Sequence, residues 1–323
     1  MTSHRYGSSR LRLAFHAGSV ILTLLPSIGI ALIYLQAFGA EGSPQRPFSD
    51  ALTYLAAGDR LNLGHDLYHL RPDDLPVDLH PALFPVPMVG PPTMGVIARP
   101  FAALDVGLLV WMAATWAALL GAVAYLVVRV GLIAIAACLL LSGPIGESLA
   151  AGNAASFLPF LSIVAWKGRR GAAAGIATGL MAGAKLAPIA LAGWLIGTRD
   201  RRALLALAAT LSTIGLVVVL FAGWENVFDY LRVMSTVSPS VWSISTVLDI
   251  PWASYVVLVG GNLLAIATAR WPKLSFSIGI LAMTFGNPAL YWSSLVALLG
   301  VIAPLTDTDA FARYRLRPTR SAA

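Results

Sequence analysis

Charge is scarce in this 323-residue chain: Asp, Glu, Lys and Arg make up 11% of it, against 58% hydrophobic residues. Water-soluble domains carry roughly a quarter charged residues, so the composition excludes an ordinary soluble domain. Cysteine is almost missing as well. Cys138 alone, inside an apolar segment, excludes an intrachain disulfide, a cysteine-held metal and dithiol redox chemistry. Acids are outnumbered, 15 against 22 bases, for a formal net charge of +7. Most of those bases sit in short tracts flanking apolar segments, where they set membrane orientation, so nucleic acid is not an expected partner.

What the chain does have is apolar length. Mean hydropathy is +0.77, and apolar stretches long enough to cross roughly 30 Å of hydrocarbon recur from Phe15 to Pro304. The expected fold is all-α: one polytopic integral membrane domain over 1–323 with about ten transmembrane or re-entrant helices. Spans are predicted near 15–38, 87–104, 107–128, 131–149, 152–166, 172–196, 203–222 and 252–269, with a Pro-broken pair over 274–304. The first is too long for a signal-peptide core and lacks a small-residue cleavage site, so it reads as a retained span. Arg5, Arg10 and Arg12 before it, and Arg313, Arg315, Arg317 and Arg320 after the last, put both ends in the cytoplasm. Arg199, Arg201 and Arg202 agree with that scheme. Lys167, Arg169 and Arg170 do not, since they fall on the outer side.

Polar chemistry concentrates in two extracytoplasmic loops. The first, 40–85, holds seven carboxylates (Glu41, Asp50, Asp59, Asp66, Asp73, Asp74, Asp78) and three histidines (His65, His69, His80); the second, 223–250, carries Trp224, Glu225, Asp229, Tyr230, Arg232 and Trp242. In the first loop, Ser49 is a candidate helix cap. A surface-lying helix from Asp50 to Leu63 then puts Phe48, Leu52 and Leu55 on its apolar face and Asp50, Tyr54 and Ala57 together on another. Asp50 there suits either the helix dipole or catalysis. Lys185 falls midway through a predicted apolar helix, where a charge costs about 2.5–3.5 kcal/mol to insert, so it reads as functional unless it snorkels or pairs with Glu147. His65 and His69 have i, i+4 spacing, but solvated loop histidines with that spacing are common and no metal is expected. Trp224 and Trp242 are sugar-stacking candidates; the other tryptophans read as interface anchors or packing residues.

The order of short motifs carries more than any one of them. Asp50 and Tyr54, then Ala56-Ala57 and Leu63-Gly64-His65-Asp66-Leu67-Tyr68, are followed by Gly90-Pro91-Pro92 with Arg99-Pro100, by Trp111 and by Gly152-Asn153. Next come Gly175-Ile176-Ala177-Thr178-Gly179-Leu180 with Ala184-Lys185-Leu186-Ala187-Pro188, the Arg199–Arg202 turn, and Asn287-Pro288-Ala289-Leu290-Tyr291-Trp292. This series resembles glycosyltransferase family 87, polytopic mannosyltransferases of the C-type superfamily, with Ala51 in place of the usual aromatic and Asn153 in place of Gln. The resemblance implies a C-type architecture and transfer of a sugar, mannose by family habit, from a polyprenyl-phosphate donor to a lipid-linked or glycan acceptor outside a bacterial plasma membrane. It implies Asp50 as catalytic base, with Tyr54, Lys185, Tyr68, Asn153 and Trp242 binding substrate, membrane lipids around the protein and no cofactor. The competing expectation from another class is a non-catalytic flippase of lipid-linked sugars, with Lys185 and Glu147 lining its path.

Overall fold

The computed structural model describes residues 3–39, 47–69, 90–236 and 240–307. The chain is helical, and no strand occurs among these residues. Among the described residues, three helices are long and apolar enough to cross a membrane: α1 (Ser3–Gly39), over its Leu13–Gly39 part, α4 (Gly107–Val130) and α10 (Arg201–Thr236). A fourth candidate is a pair bent by 63°, α5 (Leu132–Leu140) and α6 (Ser142–Ala151). The shorter apolar helices are α7 (Phe157–Lys167), extended at its start by the 3₁₀ turn η1 (Ala154–Ser156), then α8 (Ala172–Ala184), η2 (Ala187–Ala190) with α9 (Leu191–Thr198), α12 (Ala253–Ala267), α13 (Pro272–Phe285) and the 3₁₀ segment η3 (Trp292–Asp307). Two short helices at the site end, α2 (Ser49–Asn62) and α3 (Pro92–Ala102), and the single turn α11 (Ile244–Val247) complete the fold.

Glycine decides how two of these helices meet. Gly175, Gly179 and Gly183 recur every four residues and form one stripe along α8. They abut Ala203 and Leu207, then Thr210, then Ile214, so α8 and the first part of α10 run parallel in backbone contact. Small residues are what let helices approach this closely inside a membrane. Asp200 caps α10, its Oδ1 accepting from the amides of Arg202 at 3.0 Å and Ala203 at 3.2 Å. Deeper in the bundle Trp166, Trp194 and Phe276 pack ring against ring at 4.8–6.2 Å and tie α7, α9 and α13 together.

Several expectations need correction. The predicted span 172–196 is two helices: α8 stops at Ala184, Lys185 is extended (φ −148°, ψ 130°), and the chain restarts as η2 and α9. Pro188 explains the break, since it lacks the N–H that a continuing helix would use. Lys185 is therefore at a helix end and not in mid-helix. Of predicted span 87–104, the described residues hold the 11-residue α3, roughly 16 Å long at 1.5 Å per residue, packed across α2 where Gly58 meets the Ala98–Arg99 backbone. The second loop is largely helical, because α10 continues past a break at Gly223 (φ +83°) to Thr236. Ser49 does not cap α2; Phe48 holds the cap position in a left-handed conformation (φ 61°), without a side-chain cap bond. Leu52 points outward, and the buried face of α2 carries Ala51, Ala57, Gly58 and Leu61. The tract Lys167–Arg170 is tied to the end of η3: Lys167 Nζ lies 3.5 Å and Arg169 Nη2 3.0 Å from the Asp307 carboxylate.

The glycine stripe gives a stability prediction. A Cβ at Gly175 would overlap the Ala203 carbonyl, so Gly175→Leu should destabilise the protein by about 1–3 kcal/mol, the usual cost of overpacking. Gly215→Ala, where a Cβ meets nothing within 4 Å, should be neutral or mildly stabilising. Thermal unfolding in detergent compares the two, and equal melting temperatures would remove the stripe as a packing determinant.

Candidate active site

Asp50 is placed by backbone. The Phe48 amide donates to the Ala150 carbonyl at 3.0 Å, at the end of α6, and the left-handed turn at Phe48 starts α2 beside that point. Asp50 falls in the first turn of the new helix. The facing chain comes from the α6–η1 junction. There Gly152 is also left-handed (φ +68°), and any Cβ on it would collide with the side chains of Met112 and Ala51. Glycine is required at that approach. The junction is fixed from a third side by Trp111 of α4, whose indole N–H donates to the Gly152 carbonyl at 2.9 Å while its ring packs on Tyr54 at 5.4 Å.

The next residue, Asn153, reaches across to the acid. Its Nδ2 donates to Asp50 Oδ2 at 2.5 Å and to Ser293 Oγ at 3.3 Å, and its Oδ1 accepts from the Ala155 amide at 2.7 Å as the cap of η1. From the end of α8, Lys185 donates to Ser294 Oγ at 3.0 Å and lies within electrostatic reach of Asp50. Lys185 also lines a small cleft with Leu158, Pro188, Thr284, Asn287 and Ser294. A carboxylate, a carboxamide and an ammonium thus converge from α2, the α6–η1 junction and the α8–η2 break. Such a group can take a proton from one substrate atom and hold negative charge on another.

Burial raises the Asp50 carboxyl above the usual carboxylate range, against the opposing pull of Lys185 and of the Asn153 hydrogen bond. Burial first, then the Asp50 charge, push the phenol of Tyr54, one turn along α2, far up, so it remains protonated.

The other sequence candidates divide. Trp242 packs on Trp292 at 5.1 Å, next to the serine pair. Ser240 ties this stretch to the 288–290 turn: its amide donates to the Pro288 carbonyl at 3.0 Å, and its hydroxyl donates to the Leu290 carbonyl. Tyr68 is spent on structure. Its hydroxyl donates to the Gly90 carbonyl at 2.8 Å and its buried ring packs on Tyr230 at 6.0 Å. Trp224 is exposed and stacks on Phe228 in the part of α10 that follows Gly223. His69 faces Asp229 at 3.6 Å, and Asp229 also pairs with Arg232 at 3.1 Å. Among the described residues no three His, Cys, Asp or Glu side chains converge as a metal site; Glu41, Asp73, Asp74, Asp78 and His80 lie outside those residues.

Sequence reasoning missed Ser293 and Ser294 and gave no role to Tyr291, which faces Asp50 electrostatically. The motif ending at Trp292 stopped one residue short of two adjacent serines in an otherwise apolar stretch, and that pair was the available signal.

The sequence profile of glycosyltransferase family 87 matches residues 89–303. That range includes Asn153, Lys185, Ser293 and Ser294; Asp50, Tyr54 and Tyr68 precede it. No curated protein and no solved structure matches the chain.

The electrostatics yield a direct measurement. Infrared titration, with the Asp50 band identified by its loss in Asp50→Asn, should give a carboxyl pKa above the ordinary range. Lys185→Met removes the cation that lowers it, so the pKa should move further up and the carboxylate should protonate at a higher pH as acid is added. A downward or absent shift in Lys185→Met would show that the lysine does not act on Asp50.

Proposed function

The chain belongs to glycosyltransferase family 87 and is a membrane glycosyltransferase, and on that premise we propose that Asp50 is the base of a transfer from a polyprenyl-phosphate sugar to an acceptor hydroxyl outside the cytoplasm. The sugar is mannose in this reading and the acceptor a lipid-linked glycan, in a bacterial plasma membrane. The observation that carries it is the Asn153–Asp50 hydrogen bond beside Lys185.

The residues divide the reaction between them. The acceptor oxygen forms a bond to the anomeric carbon while the bond from that carbon to the phosphate oxygen breaks, its electron pair leaving with the phosphate. Asp50 takes the acceptor proton. Asn153 holds Oδ2, which leaves Oδ1 facing the hydroxyl, and burial makes the carboxylate a stronger base than one in water. Lys185, held by Ser294 at the cleft, stabilises the charge that develops on the departing phosphate. Tyr54 and Trp242 flank the sugar, Trp242 offering an aromatic face.

The orientation belongs to the same proposal. We read ten passes: α1, α4, the bent α5–α6 pair, η1–α7, α8, η2–α9, α10 as far as Ala222, α12, α13 and η3, with α2, α3, the rest of α10 and α11 on the outer side. The count equals the one expected from hydropathy, but one predicted span drops out and another becomes two. This assignment moves Lys167, Arg169 and Arg170 to the cytoplasmic side, together with Arg199–Arg202, which agrees with the positive-inside rule. The ion pairs from Lys167 and Arg169 to Asp307 support it. In a Cys138→Ser background, Leu63→Cys should label from outside the cell and Arg170→Cys only after permeabilisation. Labelling of position 170 in intact cells would reverse the assignment.

The activity test is Asp50→Asn, which keeps shape and most hydrogen bonding but removes the base. Transfer from radiolabelled polyprenyl-phosphate mannose should fall by about 10²–10⁴-fold, the usual contribution of a positioned general base. Asp59→Asn, on the same helix, should stay active. Wild-type rates in Asp50→Asn membranes at matched expression would sink the mechanism.

A further inference from the structure

Four polar side chains line the cleft at the α8–η2 break: Lys185, Thr284, Asn287 and Ser294. Two of them are engaged elsewhere. The Thr284 hydroxyl donates to the Ile280 carbonyl at 2.9 Å. The Asn287 carboxamide folds back on Ala289, its Oδ1 accepting from that amide at 3.1 Å and its Nδ2 donating to that carbonyl at 3.2 Å. Lys185 and Ser294 face each other instead, Nζ donating to Oγ at 3.0 Å. Lys185 takes part in none of the ion pairs found among the described residues, and its contact is with a neutral hydroxyl, so its charge is not neutralised by contact. In an apolar bundle that calls for an anion.

A serine hydroxyl has one proton and two lone pairs. With the ammonium donating to Oγ, the Ser294 proton is left for another acceptor, and among the described residues this oxygen has no other hydrogen bond. Ser294 is 4% exposed, so bulk solvent is a poor substitute. We propose that Ser294 is a donor-binding residue: its hydroxyl donates to an oxygen of the isoprenoid monophosphate with which Lys185 pairs. The phosphate then receives one charged and one neutral donor from a pair already assembled. The proposal rests on the reading of Lys185 as the cation that meets the phosphate.

The neighbouring residue supports the placement. Ser293 Oγ accepts from Asn153 at 3.3 Å, and Asn153 in turn holds Asp50. Consecutive Cα atoms are about 3.8 Å apart. Two adjacent serines thus reach the base side and the leaving-group side of the site, which have to flank a single anomeric carbon. The turn ahead of them is fixed: Ser240 holds the Pro288 and Leu290 carbonyls, and the Ser294 amide donates to the Tyr291 carbonyl at 2.9 Å. Ser294 is therefore in place before a ligand arrives, which lowers the entropy lost on binding.

The experiment is equilibrium binding of farnesyl phosphate, a short isoprenoid monophosphate, to the full chain in detergent, with farnesol as the phosphate-free control. Ser294→Ala should raise the Kd for farnesyl phosphate about 10- to 10²-fold, the scale of a hydrogen bond to a charged group, and leave the Kd for farnesol unchanged. In a Lys185→Met background Ser294→Ala should weaken farnesyl phosphate binding further, because the hydroxyl meets the phosphate itself. A serine that only held the lysine would have nothing left to lose there. Wild-type affinity in Ser294→Ala, an equal loss for farnesol, or no further loss in the Lys185→Met background would overturn the proposal. Wild-type affinity in Lys185→Met alone would instead sink the reading of the lysine beneath it. The base is tested by transfer in Asp50→Asn and not by binding, so the readings fail separately.

Discussion

A carboxylate drawn out of water must be matched by something, and the architecture around the candidate site follows from how Asp50 is matched. An isolated buried acid would simply take up a proton. Here a cation and a carboxamide oppose that tendency, and they come from distant parts of the chain: Asn153 from the α6–η1 junction and Lys185 from the α8–η2 break. Each of those positions is a point where a helix stops. Asn153 and Lys185 lie just past those ends in extended backbone, free of the helical geometry that turns mid-helix side chains sideways into lipid or neighbouring helices. Interrupted helices are therefore the means by which polar groups gather at one end of an apolar bundle.

The same economy governs the packing. Helices of 11–15 residues are too short to bring independent stability to a bundle, and the contacts that secure them are close ones: the glycine stripe of α8 on α10, Gly58 on α3, and the Trp166–Trp194–Phe276 cluster. Close backbone approach replaces the buried apolar area that a soluble protein would use, since lipid offers no hydrophobic gain for helix association.

Composition and hydropathy made the class legible: an all-helical membrane protein. Asp50, Asn153 and Lys185 were legible from motif order, and the structure brings them together. What hydropathy could not reveal was the path of the chain. A window that averages residues 172–196 sees one apolar run, because Lys185 and Pro188 are too few to lower it, although they end the helix. The converse holds for 223–236, where Glu225, Asp229 and Arg232 read as loop while Asn226, Asp229, Tyr230 and Val233 form the buried face of a helix. Tyr68 was singled out by its motif, and its hydroxyl turned out to secure the loop to Gly90. Ser293 and Ser294 carry no charge and sit in an apolar stretch, so only their contacts reveal them.

The start of α2 fixes Asp50 from both directions. The Phe48 amide is tied to Ala150, and Gly58, ten residues beyond Phe48, is in contact with α3, so the helix is held at two points along its length. Successive residues on a helix are about 100° apart. A single inserted or deleted residue between those anchors would therefore swing the carboxylate a quarter-turn or more away from Asn153, whereas many side-chain changes on the exposed face would leave it in place. This stretch of the chain is forgiving of composition and strict about count: it works as a ruler.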